Sequence, residues 1–185
     1  MVLVAQMFSR NPADYDILLV TKGSLLDAQL ELVEQELEAY GQDLDGDGEV
    51  EVNIQNCYLA NPGSQTYYTN QQVIQTHLFA GDILLFMWEP KLYEEFMQNL
   101  AGEDGEQPDF LHKLAVDEGK LAEDGTVFVW DTAALREELL FENLPKELYW
   151  GVRTAGGTTE KKTELLEQSL ALLEAYANGK KTQAE

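Results

Sequence analysis

The chain has 185 residues, 44% of them hydrophobic, which is enough for one domain with a sizeable core and too many for a disordered acidic tail. Its formal net charge is −22 with only 12 Lys and Arg, which argues against nucleic acid and anionic lipid as partners, because both are held by basic surfaces. One cysteine, Cys57, excludes an intrachain disulfide, and two widely separated histidines, His77 and His112, give no zinc cluster.

Residues 1–8 are apolar, and Ser9-Arg10-Asn11-Pro12 breaks the pattern. The stretch is too short to span a bilayer and has no basic leader. Residues 1–12 therefore read either as a flexible or core-packed start or as the outer end of a membrane anchor. Residues 13–179 are expected to form a single α/β domain, and 180–185 to fray as a disordered tail.

Residues 15–20 form a near-continuous apolar run, the pattern of a buried strand. Ser24 and Asp27 resemble a capping box. Leu26, Leu30, Val33, Leu37 and Tyr40 then share one helical face, and Gly41 is expected to end that helix. Val50, Val52 and Ile54 alternate with polar residues, as in a strand that extends to Tyr58 or Leu59. Residues 66–68 read as a loop near an opening, and Thr69 as the cap of a helix from Asn70 to the Gly81-Asp82 turn. Residues 83–88 give the strongest strand signal and belong at the centre of the sheet. Pro90 starts a short helix. The order β-α-β-α-β-α predicts neighbouring parallel strands joined by right-handed crossovers.

Residues 101–107 are charged and contain glycine, as in an exposed loop. Asp109 reads as the cap of a short helix through Phe110, Leu111 and Leu114. Turns are expected at 117–120 and 123–125, a strand at 126–130, a helix over 131–141 and a strand at 148–153. A Gly/Thr-rich loop at 154–159 precedes a last helix that aligns Leu166, Leu170, Leu173 and Ala177. Cys57, in a predicted strand, is expected to be a buried, inert thiol.

The sharpest local motif is Asp43-Leu-Asp45-Gly-Asp47-Gly48-Glu49, between a helix and a strand. Calcium takes hard oxygen ligands from a flexible turn, with carboxylates at loop positions 1, 3 and 5 and glycine at 6. Asp43, Asp45, Asp47 and Gly48 fit those positions. The carbonyl of Glu49 would follow at position 7, and Glu51 at position 9 would act through water. Ile54 stands where a helix-loop-helix calcium site has an acid, and a strand follows the loop, so the motif is not a complete EF-hand. The expected cofactor is a structural Ca2+; the competing reading is a solvated acidic turn whose glycines supply positive φ angles.

Ligands of open α/β sheets meet the carboxyl ends of strands. Trp88, Trp130, Asp131 and Arg153 end or follow predicted strands and form the candidate ligand-binding set, the aromatics stacking on a sugar or small organic molecule.

Residues 15–20, the long helix, the acidic loop and second strand, together with Leu78-Phe-Ala-Gly-Asp82 leading into a buried strand, resemble the first lobe of bacterial extracellular solute-binding proteins. The pattern is also similar to small membrane-anchored or lipoprotein-like domains of gut Firmicutes. The resemblance spans 15–88. It implies a three-layer α/β sandwich with a mostly parallel sheet, like one lobe of a periplasmic-binding-protein fold. It also implies an extracytoplasmic setting, with tethering through an N-terminal segment. Solute-binding proteins close two lobes on a ligand, and this chain has residues for about one.

The expectation is a non-enzymatic, extracytoplasmic, solute-binding-like or interaction domain whose partner is a small organic or sugar ligand or a cell-surface protein. One alternative is a calcium-dependent hydrolase acting on a sugar or phosphorylated substrate, which requires Asp16, Asp82 or Asp131 to converge on a metal. Another is an interaction module with an exposed apolar patch or sheet edge.

Overall fold

The computed structural model describes residues 13–100, 111–122, 125–139, 143–154 and 159–182. The expectations for 1–12, 101–110, 123–124, 140–142, 155–158 and 183–185 lie outside them.

Continuous apolar runs form β1 (Tyr15–Thr21) and β3 (Leu85–Trp88), and the alternating run forms β2 (Val52–Tyr58). α1 (Asp27–Glu38) and α2 (Gln65–Ala80) connect them, and α3 (Pro90–Leu100) follows with proline in its first turn. The second half contains a 3-10 turn (Glu118–Lys120), β4 (Leu121–Ala122), β5 (Val127–Asp131), α4 (Ala133–Leu139), β6 (Glu147–Val152) and α5 (Glu160–Ala177).

The strand order is β2-β1-β3-β6-β5-β4. β1 is parallel to β2 and β3. The pairs β3–β6, β6–β5 and β5–β4 are antiparallel. The sheet is therefore open, mixed and mostly antiparallel, which overturns the mostly parallel sandwich and its likeness to a solute-binding lobe. The reason is physical. A continuous apolar run reports burial on both faces, and helices cover both faces here, so the run carries no record of strand direction.

Alternation along β1 divides the core. Ile17 and Leu19 pack with Val33 and Leu37 of α1 and Leu172 and Leu173 of α5. Leu18 and Val20 face the other way, with Ile74 and Leu78 of α2 and Leu92, Tyr93 and Met97 of α3.

Several boundaries move for local reasons. Ser24 does not cap α1: its hydroxyl donates to Leu25 O, while the Gln29 side chain accepts from Leu26 N at 2.9 Å. α2 begins five residues before Asn70, at Gln65, because Ser64 caps it, accepting from Tyr67 N at 3.1 Å. Tyr67 and Tyr68 are thus helical, not part of a loop. Gly81 ends α2 in the left-handed region (φ 67°). Leu111 forms an antiparallel bridge to Arg153 instead of a helix. At the other end, Thr182 donates its amide to Ala39 O and its hydroxyl to Gly41 O, so residues 180–182 lie against the end of α1.

β2 is a sheet edge, and α1 covers amides of its first half. The amide of Ile54 donates to Glu34 Oε1 at 2.7 Å, and that of Val52 donates to Glu38, both carboxylates coming from α1.

Candidate metal site and apolar pocket

The acidic loop leaves α1 over Tyr15. Gly41 is required for that passage, because a Cβ there would lie 2.7 Å from Val50 Cγ1 and 2.9 Å from Tyr15 Cε2. The Tyr15 hydroxyl accepts from Gln42 N at 3.0 Å. The loop then folds onto its own carboxylates. Asp43 accepts from Gly46 N (2.6 Å) and Gly48 N (2.8 Å), Asp45 from Asp47 N (3.0 Å), and Asp47 from Glu49 N (2.9 Å). Gly46 and Gly48 have φ of 81° and 98°, a region costly for other residues. The amides of Gly48 and Gly46 hold the Asp43 carboxyl below the usual carboxylate range.

The loop is joined by a residue from another part of the chain. Asp14, just before β1, accepts from Leu44 N at 2.8 Å and from Glu51 N at 2.9 Å, clamping both ends of the loop. Carboxylate oxygens of Asp14, Asp43 and Asp45 lie within 4.8 Å of one another, a tri-acidic cluster that could coordinate a divalent cation. Asp47, Glu49 and Glu51 do not contribute side chains to that group. Asp14 is placed by register: Tyr15 pairs with Val52, so the residue before β1 meets the residue before β2.

The other candidate residues separate. Trp88 stacks on Phe96 (centroids 4.9 Å apart, planes 24°) on the α2/α3 side. Trp130 lies on the α1/α5 side, 5.2 Å from the ring of Tyr176. Asp131 is exposed and accepts from Ala133 N at 2.9 Å, at the start of α4. Because β6 runs antiparallel to β3, Arg153 ends up beside Leu84, at the opposite end of β3 from Trp88; its amide donates to Leu84 O at 2.8 Å. Trp88 and Arg153 nevertheless line one cavity of about 430 Å3 under α2 and α3, with Trp130 and Asp131 outside it. Burial lowers the Arg153 pKa from its ordinary value, opposed by the charge of Asp82. Sequence reading set Tyr67 near an opening, though in a loop, and missed the rest of the aromatic and apolar wall of this cavity, Leu78, Leu92 and Phe96. The helical spacing of Ile74 and Leu78, and of Leu92 and Phe96, was the available signal.

Asp16, Asp82 and Asp131 have separate partners: Asp16 accepts from Asn53 Nδ2 at 2.7 Å, Asp82 lies 3.1 Å from His77 Nδ1, and Asp131 accepts from Ala133 N. Among the described residues they do not form a metal-competent group. Cys57 is buried, and burial pushes its thiol up to about 11.

No family model, curated protein or solved structure matches the chain. Fold and site define a mixed α/β domain with a surface tri-acidic cluster. Among the described residues, no helix is long and apolar enough to cross a membrane.

Proposed function

We propose that this is a non-enzymatic extracytoplasmic binding or interaction domain whose acidic loop holds a structural calcium ion. The observation that carries the reading is Asp14. A residue distant in sequence already bonds both ends of the loop and adds a third carboxylate to Asp43 and Asp45. Three carboxylates in that space repel one another, and a cation removes the repulsion while tying β1 to the loop and β2. Calcium takes six to eight oxygens, so Asp47, the Glu49 carbonyl and water through Glu51 complete the set in this reading. An extracytoplasmic setting supplies calcium at the concentrations such an open site needs.

Thermal unfolding of chelated protein tests the proposal, with calcium and magnesium added separately. Calcium at a hundred times its Kd stabilises by about 2.7 kcal/mol, read as a rise in Tm. Asp43→Asn removes most of that rise. An unchanged Tm on adding calcium, or an equal rise with magnesium, overturns the reading.

A further inference from the structure

α2 differs in charge from the rest of the chain. Charged residues make up 25% of the sequence, yet residues 52–81, which include all of β2 and α2, contain no Asp, Glu, Lys or Arg. The one histidine of α2, His77, lies 3.1 Å from Asp82. Ile74 and Leu78 anchor the inner side of the helix in the core with Leu18 and Val20. Its outer side carries Tyr68, Gln72, Gln75, Thr76 and Phe79, all exposed. Phe79, at 77%, is the most exposed large hydrophobic residue among those described, and Tyr68 is 55% exposed.

Tyr68, Gln72, Gln75 and Phe79 are spaced four, three and four residues apart, the spacing of a seam between paired helices. They make one stripe about 16 Å long. Its order is ring, amide, amide, ring, symmetric about the midpoint between Val73 and Ile74. A two-fold axis through that midpoint, perpendicular to the helix, sets Tyr68 against the partner's Phe79 and Gln72 against the partner's Gln75. The stripe is thus self-complementary in the way an isologous contact requires. A shallow open hollow lined by Gln72, Gln75, Thr76, Phe79 and Ala80 runs beside it, a recess for the partner's ring.

We propose that this stripe is a self-association surface, on which two copies of the chain pack α2 against α2 in antiparallel fashion. Charge selects the occupant. Each copy has a net charge of −22, so contact through an acidic surface sets like charges together, whereas the uncharged stripe avoids that repulsion. A cationic partner gains nothing from a neutral helix face. Interface cores are depleted of charge and enriched in Tyr and Phe, and a glutamine amide both donates and accepts, so Gln72 and the partner's Gln75 can bond to each other. Glu95, which lines the cavity with Gln75 and Phe79, and Asp82, three residues beyond Phe79, border the stripe. Together with the net charge they oppose association, and salt screens that opposition. One helix stripe is less than a permanent dimer needs, so the contact is weak and reversible. It involves none of the residues of the calcium loop.

The experiment is sedimentation equilibrium of the full chain in chelator, so that its outcome is independent of the acidic loop. A monomer–dimer equilibrium is expected, with a Kd about threefold or more lower in about 0.5 M salt than in about 0.02 M. Phe79→Gln, which removes a ring from an exposed position and adds no charge, raises that Kd about tenfold or more and leaves Tm unchanged. A second variant tests the arrangement. Gln72→Lys combined with Gln75→Glu in one chain keeps the net charge and places opposite charges across the two-fold axis, so it tightens the antiparallel dimer. Parallel helices would set like charges together in the same variant and loosen. A chain that stays monomeric up to about 0.5 mM in high salt leaves the stripe to a different occupant and overturns the proposal. So does a dimer that Phe79→Gln does not weaken, or one that the paired charges loosen.

Discussion

The two faces of the sheet use similar residues to different ends. On the α1/α5 face, Trp130, Trp150 and Phe128 surround Tyr176, with ring centroids 5.2, 5.4 and 6.4 Å from it. Burial drives the Tyr176 pKa up, and its hydroxyl is hydrogen-bonded to Trp130. On the α2/α3 face, among the described residues, Trp88 has Phe96 and Phe86 as ring neighbours and lines the cavity. An aromatic residue at a strand end therefore says little about ligand binding until its face is known. The first face is packed by its own rings; the second leaves a cavity among the described residues.

Paired core truncations should separate the faces most strongly. Leu173→Ala, in the filled core, is expected to cost about 4–5 kcal/mol, and Leu92→Ala, beside the cavity, about 2–3 kcal/mol, the difference reflecting neighbours already missing. Urea midpoints measure both. Equal losses would mean that the cavity wall is as tightly supported as the opposite core.

Cysteine labelling gives the next largest contrast, since Cys57 reports on the hollow face. With its thiol raised to about 11 from 9.0, the thiolate fraction near pH 8 is about a hundredfold below that of the unfolded chain. Native protein should react correspondingly more slowly with a disulfide reagent than protein in urea. Labelling at the unfolded rate would show that α2 opens readily over β2.

The smallest effect is the pH dependence of stability, and it concerns the rim of the filled face. Glu38 is raised, first by burial and then by Glu34, Glu51 and Glu49, so its folded form takes up a proton before the unfolded one does. Stability therefore increases as pH falls through its folded pKa. Asp43 is lowered by loop amides, so its contribution is present above the ordinary carboxylate range and is lost as pH falls through its folded pKa. Urea midpoints should pass through a maximum in mild acid and then drop. A steady fall from neutrality would contradict this order.

Local chemistry made part of this molecule legible. Periodicity found the long strands and helices, and Asp43, Asp45, Asp47 and Gly48 marked the loop. Direction was not legible, because the runs at 83–88 and 148–153 have the same apolar pattern whether parallel or antiparallel. That single unknown also misplaced Arg153, which an antiparallel β6 sends to the far end of β3. Asp14 was visible only as an acid before a strand; its role depends on the pairing of Tyr15 with Val52. The cavity wall comes from helix faces, whose apolar stripes look the same over a filled core and over a hollow one.

The carboxylates that α1 lends to β2 have a further consequence. An edge strand ordinarily offers its amides as a template for another chain. Here Glu34 and Glu38 have taken the outward amides of Ile54 and Val52, so an incoming strand must displace two charged acceptors before it can pair. At the opposite border, β4 covers two residues among those described. The part of the sheet edge beneath Glu34 and Glu38 is thereby guarded against growth by strand addition.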